Sequence, residues 1–343
     1  MSLNSHRWTS LTPVHTLLVL CSTASSMKLI TFEDSVRRSR VGAPVADGRI
    51  VDLNSACALY LREIENESAF DRLADALVPS NMRELFGGGD TSLEAARKAL
   101  DYVLEEDGAT GPRGESIFYS SDEVVLQAPI VPRKFFHPAG FLNVDAIIGH
   151  DEPVLYPDHL THELDCEIQL AVVMKKCGRS LASKETGEYI GGYVIFNQIT
   201  ARDIQRRELE SGASLLCHGI ETFCPLGPWI VTADEISDPH QLAMELRVNS
   251  ETRSSSHSSK MALKVPDLLS RYSPMGFSAG DVISTGMISG STLNGESKTW
   301  SLKVGDVVEC EIEKIGILRN QVISWEEAYG RKPGVSVVKE TSS

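Results

Sequence analysis

The sequence predicts an α+β chain, a β-rich main domain preceded by a small mixed module. Three observations carry that reading. Residues 163–170 alternate: Glu163, Asp165, Glu167 and Gln169 share one side of an extended strand, and Leu164, Cys166, Ile168 and Leu170 share the other. Residues 242–248 and 304–312 alternate in the same way. Upstream, strand-like segments over residues 28–53 give way to helical spacing of apolar residues over 55–104.

Residues 28–32 read as the first strand, and 42–53, with Gly48 at a turn, as a second and third. Residues 55–70 fit an amphipathic helix on Ala58, Leu59, Leu61, Ile64 and Phe70, with a further helical stretch broken near Pro79. Residues 87–89 are a stop signal, and Thr91 or Ser92 caps a helix whose buried stripe is Leu93, Ala96, Leu100, Val103 and Leu104. The proline-marked segment 124–132 is the expected junction, dividing a small module at 27–128 from a main domain at 129–330. Residues 1–26 read as an extension and 331–343 as a loose polar tail. The apolar run 17–20 is weak as a secretory signal, and no span is long enough for a membrane helix.

Composition narrows the function classes. Apolar residues make up 42% and charged residues 23%, the balance of a globular protein with a real core. A formal charge of −14 argues against a general nucleic-acid binder. The seven cysteines contain no CxxC pair and give no disulfide scaffold, so a reducing compartment is the default: cytoplasm, or mitochondrion or another organelle. No Walker loop, GxGxxG or zinc cluster is present.

The chemistry points to the acidic strand. Three carboxylates in a short row repel one another, so the row must be wetted, paired or bridged by a cation. Hard divalent ions take such oxygens. Further along the chain, Cys217 and His218 are adjacent, but adjacency alone makes no nucleophile.

The segments HELDCEIQLAVV (162–173), GGYVIFNQITARD (191–203) and TFCPLGPWIVTADEI (222–236) resemble the core of the fumarylacetoacetate hydrolase family. The resemblance runs over residues 28–322. It implies a rolled mixed sheet with the site inside it, a bound Mg²⁺ or Mn²⁺, a homodimer, and a small oxo-acid or β-dicarbonyl substrate that is cleaved, decarboxylated or isomerised. It also implies site residues. Glu167, Gln169 and Gln198 stand at the metal-ligand positions. His218 stands where a Lys holds the substrate, and with Glu221 forms the candidate catalytic pair. Pro225, Leu226, Gly227, Ser254, Thr285 and Gly286 are the candidate substrate contacts, and Trp229 is expected to pack beneath the site.

The chain departs from that pattern at its chemical centre. The E-x-E of the metal strand reads Glu167, Ile168, Gln169, and the third ligand, an Asp, is Gln198 preceded by Asn197. Neutral amides in place of two anions weaken a hard-ion site. The segment NFxxHxxE, expected after KFFHPAG (134–140), is absent, with His137 before the join and His150 after it. Two functions are therefore expected: an oxo-acid enzyme with a degraded metal site, or a non-catalytic relative used for binding or dimerisation.

Overall fold

The computed structural model describes residues 27–106, 108–138, 140–288 and 300–330; the expected extension 1–26 and tail 331–343 lie outside them. The chain opens with β1 (Lys28–Glu33), β2 (Ser39–Pro44) and β3 (Ile50–Asp52), then α1 (Leu53–Glu63), α2 (Phe70–Leu77), α3 (Met82–Gly87) and α4 (Gly89–Glu105). Short strands β4 (Phe118–Tyr119), β5 (Val125–Gln127), β6 (Phe135–His137), β7 (Gly140–Phe141), β8 (Ile147–Ile148) and β9 (Val154–Tyr156) lead to the long pair β10 (Leu164–Met174) and β11 (Ile190–Ala201). After α5 (Arg202–Glu210) and α6 (Leu216–Gly219) come β12 (Cys224–Thr232), β13 (Ala243–Val248), β14 (Glu251–His257), α7 (Val265–Tyr272), β15 (Val282–Ser284), β16 (Val307–Ile312), β17 (Gly316–Ser324) and α8 (Trp325–Tyr329).

Among the described residues, twelve strands join one sheet, ordered β4-β3-β2-β1-β12-β11-β10-β15-β6-β7, with β5 beside β1 and β8 beside β12. Five more form a second sheet, β14-β13-β16-β17-β9. Both sheets are mixed: β15 runs parallel to β6, β12 to β8 and β17 to β9, whereas the β10–β11 pair is antiparallel. The N-terminal strands are not a separate layer, because Lys28 pairs with Val231 and Leu29 with Ile230, so β1 extends the main sheet.

The pleat sorts the main sheet into two faces. Leu164, Cys166, Ile168, Leu170 and Val172 enter one core, shared with Leu246, Val308, Cys310 and Leu318 of the second sheet. Ala171, Val173, Val194, Phe196 and Leu226 enter the other, under Leu59, Phe86, Ala96 and Leu100 of the helices. Helix α1 starts where Asp52 accepts from the backbone N–H of Asn54 and Ser55, both at 3.0 Å, and Arg40 pairs with the same carboxylate at 2.6 Å.

Several expected boundaries move. Helix α1 ends at Glu63, leaving Ile64 49% exposed and Phe70 in the next helix. The glycines at 87–89 join two helices: α4 begins at Gly89 itself, with Gly88 its N-cap, so Thr91 and Ser92 lie inside its first turn. Leu104 is 48% exposed, and Ala99 fills its expected place in the stripe. The β13–β14 turn keeps Asn249 and Ser250 both at positive φ, 54° and 65°. A Ser at such a position is strained; Asn249 compensates by donating to Asp306 and accepting from the backbone N–H of Val307, both at 2.9 Å. At the end of the 134–140 segment, β6 and β7 close as a hairpin with His137 opposite Gly140.

Candidate active site

The site is built on the polar face of β10 and β11. Asp165 sits opposite Thr200, Glu167 opposite Gln198 and Gln169 opposite Phe196, which places all six side chains on one face. Strand β15 brings Ser284 beside Ala171, and β6, on its far side, carries His137. Helix α5 follows β11 without a loop, so its first residue, Arg202, folds back over the acids, and α6 adds His218.

The expected row of acids is paired and mostly buried. Asp165 is fully buried, Glu167 4% exposed and Gln169 fully buried. Arg202 donates from Nε to Asp165 Oδ2 at 2.8 Å and from Nη2 to Glu167 Oε1. Glu163 lies at the surface, bonded to Arg206 at 2.7 Å. Burial pushes the Glu167 carboxyl up, against the pull of Arg202.

The amides continue the network. Gln169 Nε2 donates to Gln198 Oε1 at 2.7 Å and to Glu167 Oε2 at 3.2 Å, and Ser284 Oγ donates to Gln169 Oε1. A carboxylate oxygen only accepts, so it is the amide nitrogen, not its oxygen, that faces Glu167. These residues do not fit a hard divalent ion. Of the three expected ligands only Glu167 is anionic, both of its oxygens are engaged, and an N–H donor fills the space between Glu167 and Gln198. Among the described residues, no group of three or more His, Cys, Asp or Glu side chains is arranged to hold a metal.

Two histidines face each other beside this network. The rings of His137 and His218 are 6.4 Å apart, and both are buried. Burial holds His137 down to about 4, helped by the nearby His218 and opposed by a hydrogen bond with Gln198. Burial also holds His218 down to about 4, with the Arg202 charge adding to it. Both rings are therefore neutral at pH 7. Thr200 Oγ1 is 3.2 Å from His218 Nδ1, and Gln205 Nε2 is 3.4 Å from His218 Nε2. The cleft between the rings is rimmed by Phe141, Leu142, Asn143 and Leu215 and holds 10 Å³, room for about one water.

The other candidates named from the sequence are distributed around this centre. Leu226, opposite Phe196, shares the site face, while Pro225 and Gly227 alternate away from it. Thr285 donates from both its backbone N–H and its hydroxyl to Leu170 O, each at 2.9 Å, and the Gly286 N–H donates to Ser284 Oγ at 2.9 Å. That pair serves the sheet and offers no carboxylate cradle as placed. Glu221 is exposed and bonded to the Tyr329 hydroxyl, outside the histidine cleft. Ser254 lies opposite Leu246 on β14, the edge of the second sheet, and also outside the cleft. Trp229 belongs to the core between the sheets, where its indole donates to Ile315 O. Cys217 is no nucleophile: burial and Glu208 push its thiol up to about 12.

Sequence reasoning missed Ser284, Thr200 and Gln205 as partners, and His137 had no assigned role. The only local signal for His137 was its place on a strand just before the altered segment.

A family description, fumarylacetoacetate (FAA) hydrolase C-terminal, matches residues 120–323. The mitochondrial oxaloacetate tautomerase of Xenopus laevis is 31% identical over 324 residues, spanning 88% of this chain and 92% of that protein. Among solved structures, a fumarylacetoacetate hydrolase from Exiguobacterium antarcticum superposes with a TM-score of 0.66 at 28% identity, covering 87% of this chain and all of that one. A maleylpyruvate hydrolase from Sphingobium sp. SYK-6, solved with manganese(II) and pyruvate, shares the fold with a TM-score of 0.65 at 22% identity, covering 87% of this chain and 99% of that one.

Proposed function

This chain belongs to the fumarylacetoacetate hydrolase family, and we propose that it moves a proton between carbon and oxygen of a small oxo acid, without hydrolysis and without a bound divalent ion. The observation that carries the reading is the pair of buried, neutral imidazoles, His137 and His218, beside a polar network in which an amide N–H donor lies between Glu167 and Gln198. A neutral imidazole has one nitrogen that donates and one that accepts. Keto–enol exchange needs one group to take a proton from the carbon beside the carbonyl and another to give one to the carbonyl oxygen. Substrate and product then have the same atoms and charge, so no water is consumed. The relatives' names agree with oxo-acid substrates, and the Xenopus laevis protein is named for this exchange on oxaloacetate.

Hydrolysis of an acylpyruvate asks for more: an oriented water, a base beside it, and stabilisation of the developing oxyanion. In this chain the segment expected to carry the base is absent, and two of three ligand positions are amides. The test uses the EDTA-treated full chain. Oxaloacetate enolisation, followed in the ultraviolet, should continue in EDTA and fall roughly 10²-fold or more in His137→Gln and His218→Gln. Loss of activity in EDTA with recovery in Mg²⁺, or acetylpyruvate cleavage faster than about 1 per second, would overturn the reading.

A second reading, a non-catalytic binding or dimerisation protein, is favoured by the 10 Å³ cleft, which admits no oxo acid until Phe141 or Leu215 moves. It requires no enolisation together with saturable oxo-acid binding or a stable dimer. We expect a homodimer in either case, read as twice the chain mass by light scattering.

A further inference from the structure

The Gln169 side chain makes three hydrogen bonds to groups on three strands. Its nitrogen joins Glu167 on its own strand β10 to Gln198 on β11, and its oxygen takes the hydroxyl of Ser284 on β15. Gln169 and Gln198 are both buried, so none of these bonds competes with bulk water. Arg202 supplies the positive charge at the same place, bonded to Asp165 and Glu167. Two carboxylates and one guanidinium leave a single net negative charge, where carboxylates at positions 169 and 198 would leave three and demand a cation.

We infer that the Gln169 amide is a built-in replacement for a divalent ion: it clasps β10, β11 and β15 in the manner a cation would, and so the site keeps its shape with no metal bound. The clasp holds the strands that carry Gln198 and Ser284, and Gln169 is thereby a positioning residue. This replacement rests on the metal-free half of the proposed function and is independent of proton transfer. Its test reads ion binding and melting, so the two can fail separately.

The experiment takes the EDTA-dialysed full chain, titrates Mn²⁺ by electron paramagnetic resonance, and records thermal melting with and without the ion. The wild type should leave Mn²⁺ free at ~1 mM and melt at the same temperature in EDTA and in Mn²⁺. Gln169→Glu with Gln198→Asp should take up one Mn²⁺ per chain and melt several degrees higher in its presence than in EDTA. Gln169→Met, which removes the clasp and adds no charge, should melt lower than wild type by the same amount with or without the ion. If the double variant does not fold in EDTA, refolding in Mn²⁺ counts in favour, and failure to refold there counts against. One Mn²⁺ bound per wild-type chain, a wild-type melt lowered by EDTA, or a double variant indifferent to Mn²⁺ would each overturn the inference.

Discussion

Gln205 and His218 meet nitrogen to nitrogen, Nε2 to Nε2 at 3.4 Å, and Arg202 fixes which end of the Gln205 amide faces the ring. Arg202 Nη1 donates to Gln205 Oε1 at 2.8 Å, which turns the Gln205 NH₂ toward the ring. An amide nitrogen only donates, so His218 Nε2 accepts and the ring proton sits on Nδ1, directed at Thr200 Oγ1. Nitrogen-15 spectra of the histidines should therefore show His218 as the Nδ1–H tautomer, with Gln205→Met shifting it toward a mixture. A wild-type ring protonated on Nε2 would contradict the arrangement.

Acid should destabilise the fold well above the ordinary carboxylate range. His137, His150 and His218 are each held down to about 4 by burial, against 6.5 when unfolded. Between those values the unfolded chain binds protons that the folded chain refuses, so stability falls as pH drops from about 6.5 to about 4. At pH 5 each ring costs about 2 kcal/mol relative to neutral pH. Glu167, pushed up by burial, works in the opposite direction and trims the total. The urea midpoint should be clearly lower at pH 5 than at pH 7.5. His150→Gln should lessen the difference, since this ring is remote from the site, accepting the Arg319 N–H at 3.1 Å and lying 3.4 Å from Asp151 Oδ2. Equal midpoints would rule the effect out.

Two arginines one turn apart on α5 should differ sharply in their contribution to stability. Arg202→Met strands Asp165 and Glu167 as buried, unpaired charges and should cost about 3–5 kcal/mol. Arg206→Met breaks a pair whose side chains are 60% and 49% exposed and should cost less than about 1 kcal/mol. Urea denaturation of the two variants separates them; similar losses would mean that the buried triad is not what holds this corner.

Gly191 on β11 marks a close approach. A Cβ there would lie 2.6 Å from the ring of Phe86, a fully buried side chain. Gly191→Ala should cost about 1–3 kcal/mol through overpacking. Gly187, with nothing within 4 Å of its Cβ position, should accept Ala with a change of no more than about 0.5 kcal/mol. Equal effects at both positions would show that Phe86 moves freely.

What the sequence made legible was what has a period. The alternation at 163–170 put Asp165, Glu167 and Gln169 on one face because the pleat has no other option. Gln198 came into view through the likeness of its flanking TARD segment. What stayed hidden depended on contacts between distant residues. Pairing was one of three ways open to the acids, but nothing local joined them to Arg202, their counter-charge, which lies 37 residues from Asp165. Ser284 reaches Gln169 across 115 residues, with no local mark of that contact. Ser254 and Glu221 were named from family positions, but in this chain one sits on the edge of the other sheet and the other at the surface beside Tyr329.

The pairing of β1 with β12 gives the N-terminal part of the chain a stake in the far half of the sequence. Leu29 and Ile230 are neighbours in one ladder, though two hundred residues of sequence separate them. A cut at residue 128 would leave β12 with an open row of amide and carbonyl groups, a template on which another chain could grow. The first hundred residues are thus no detachable cassette. They seal a seam that the rest of the chain would leave open.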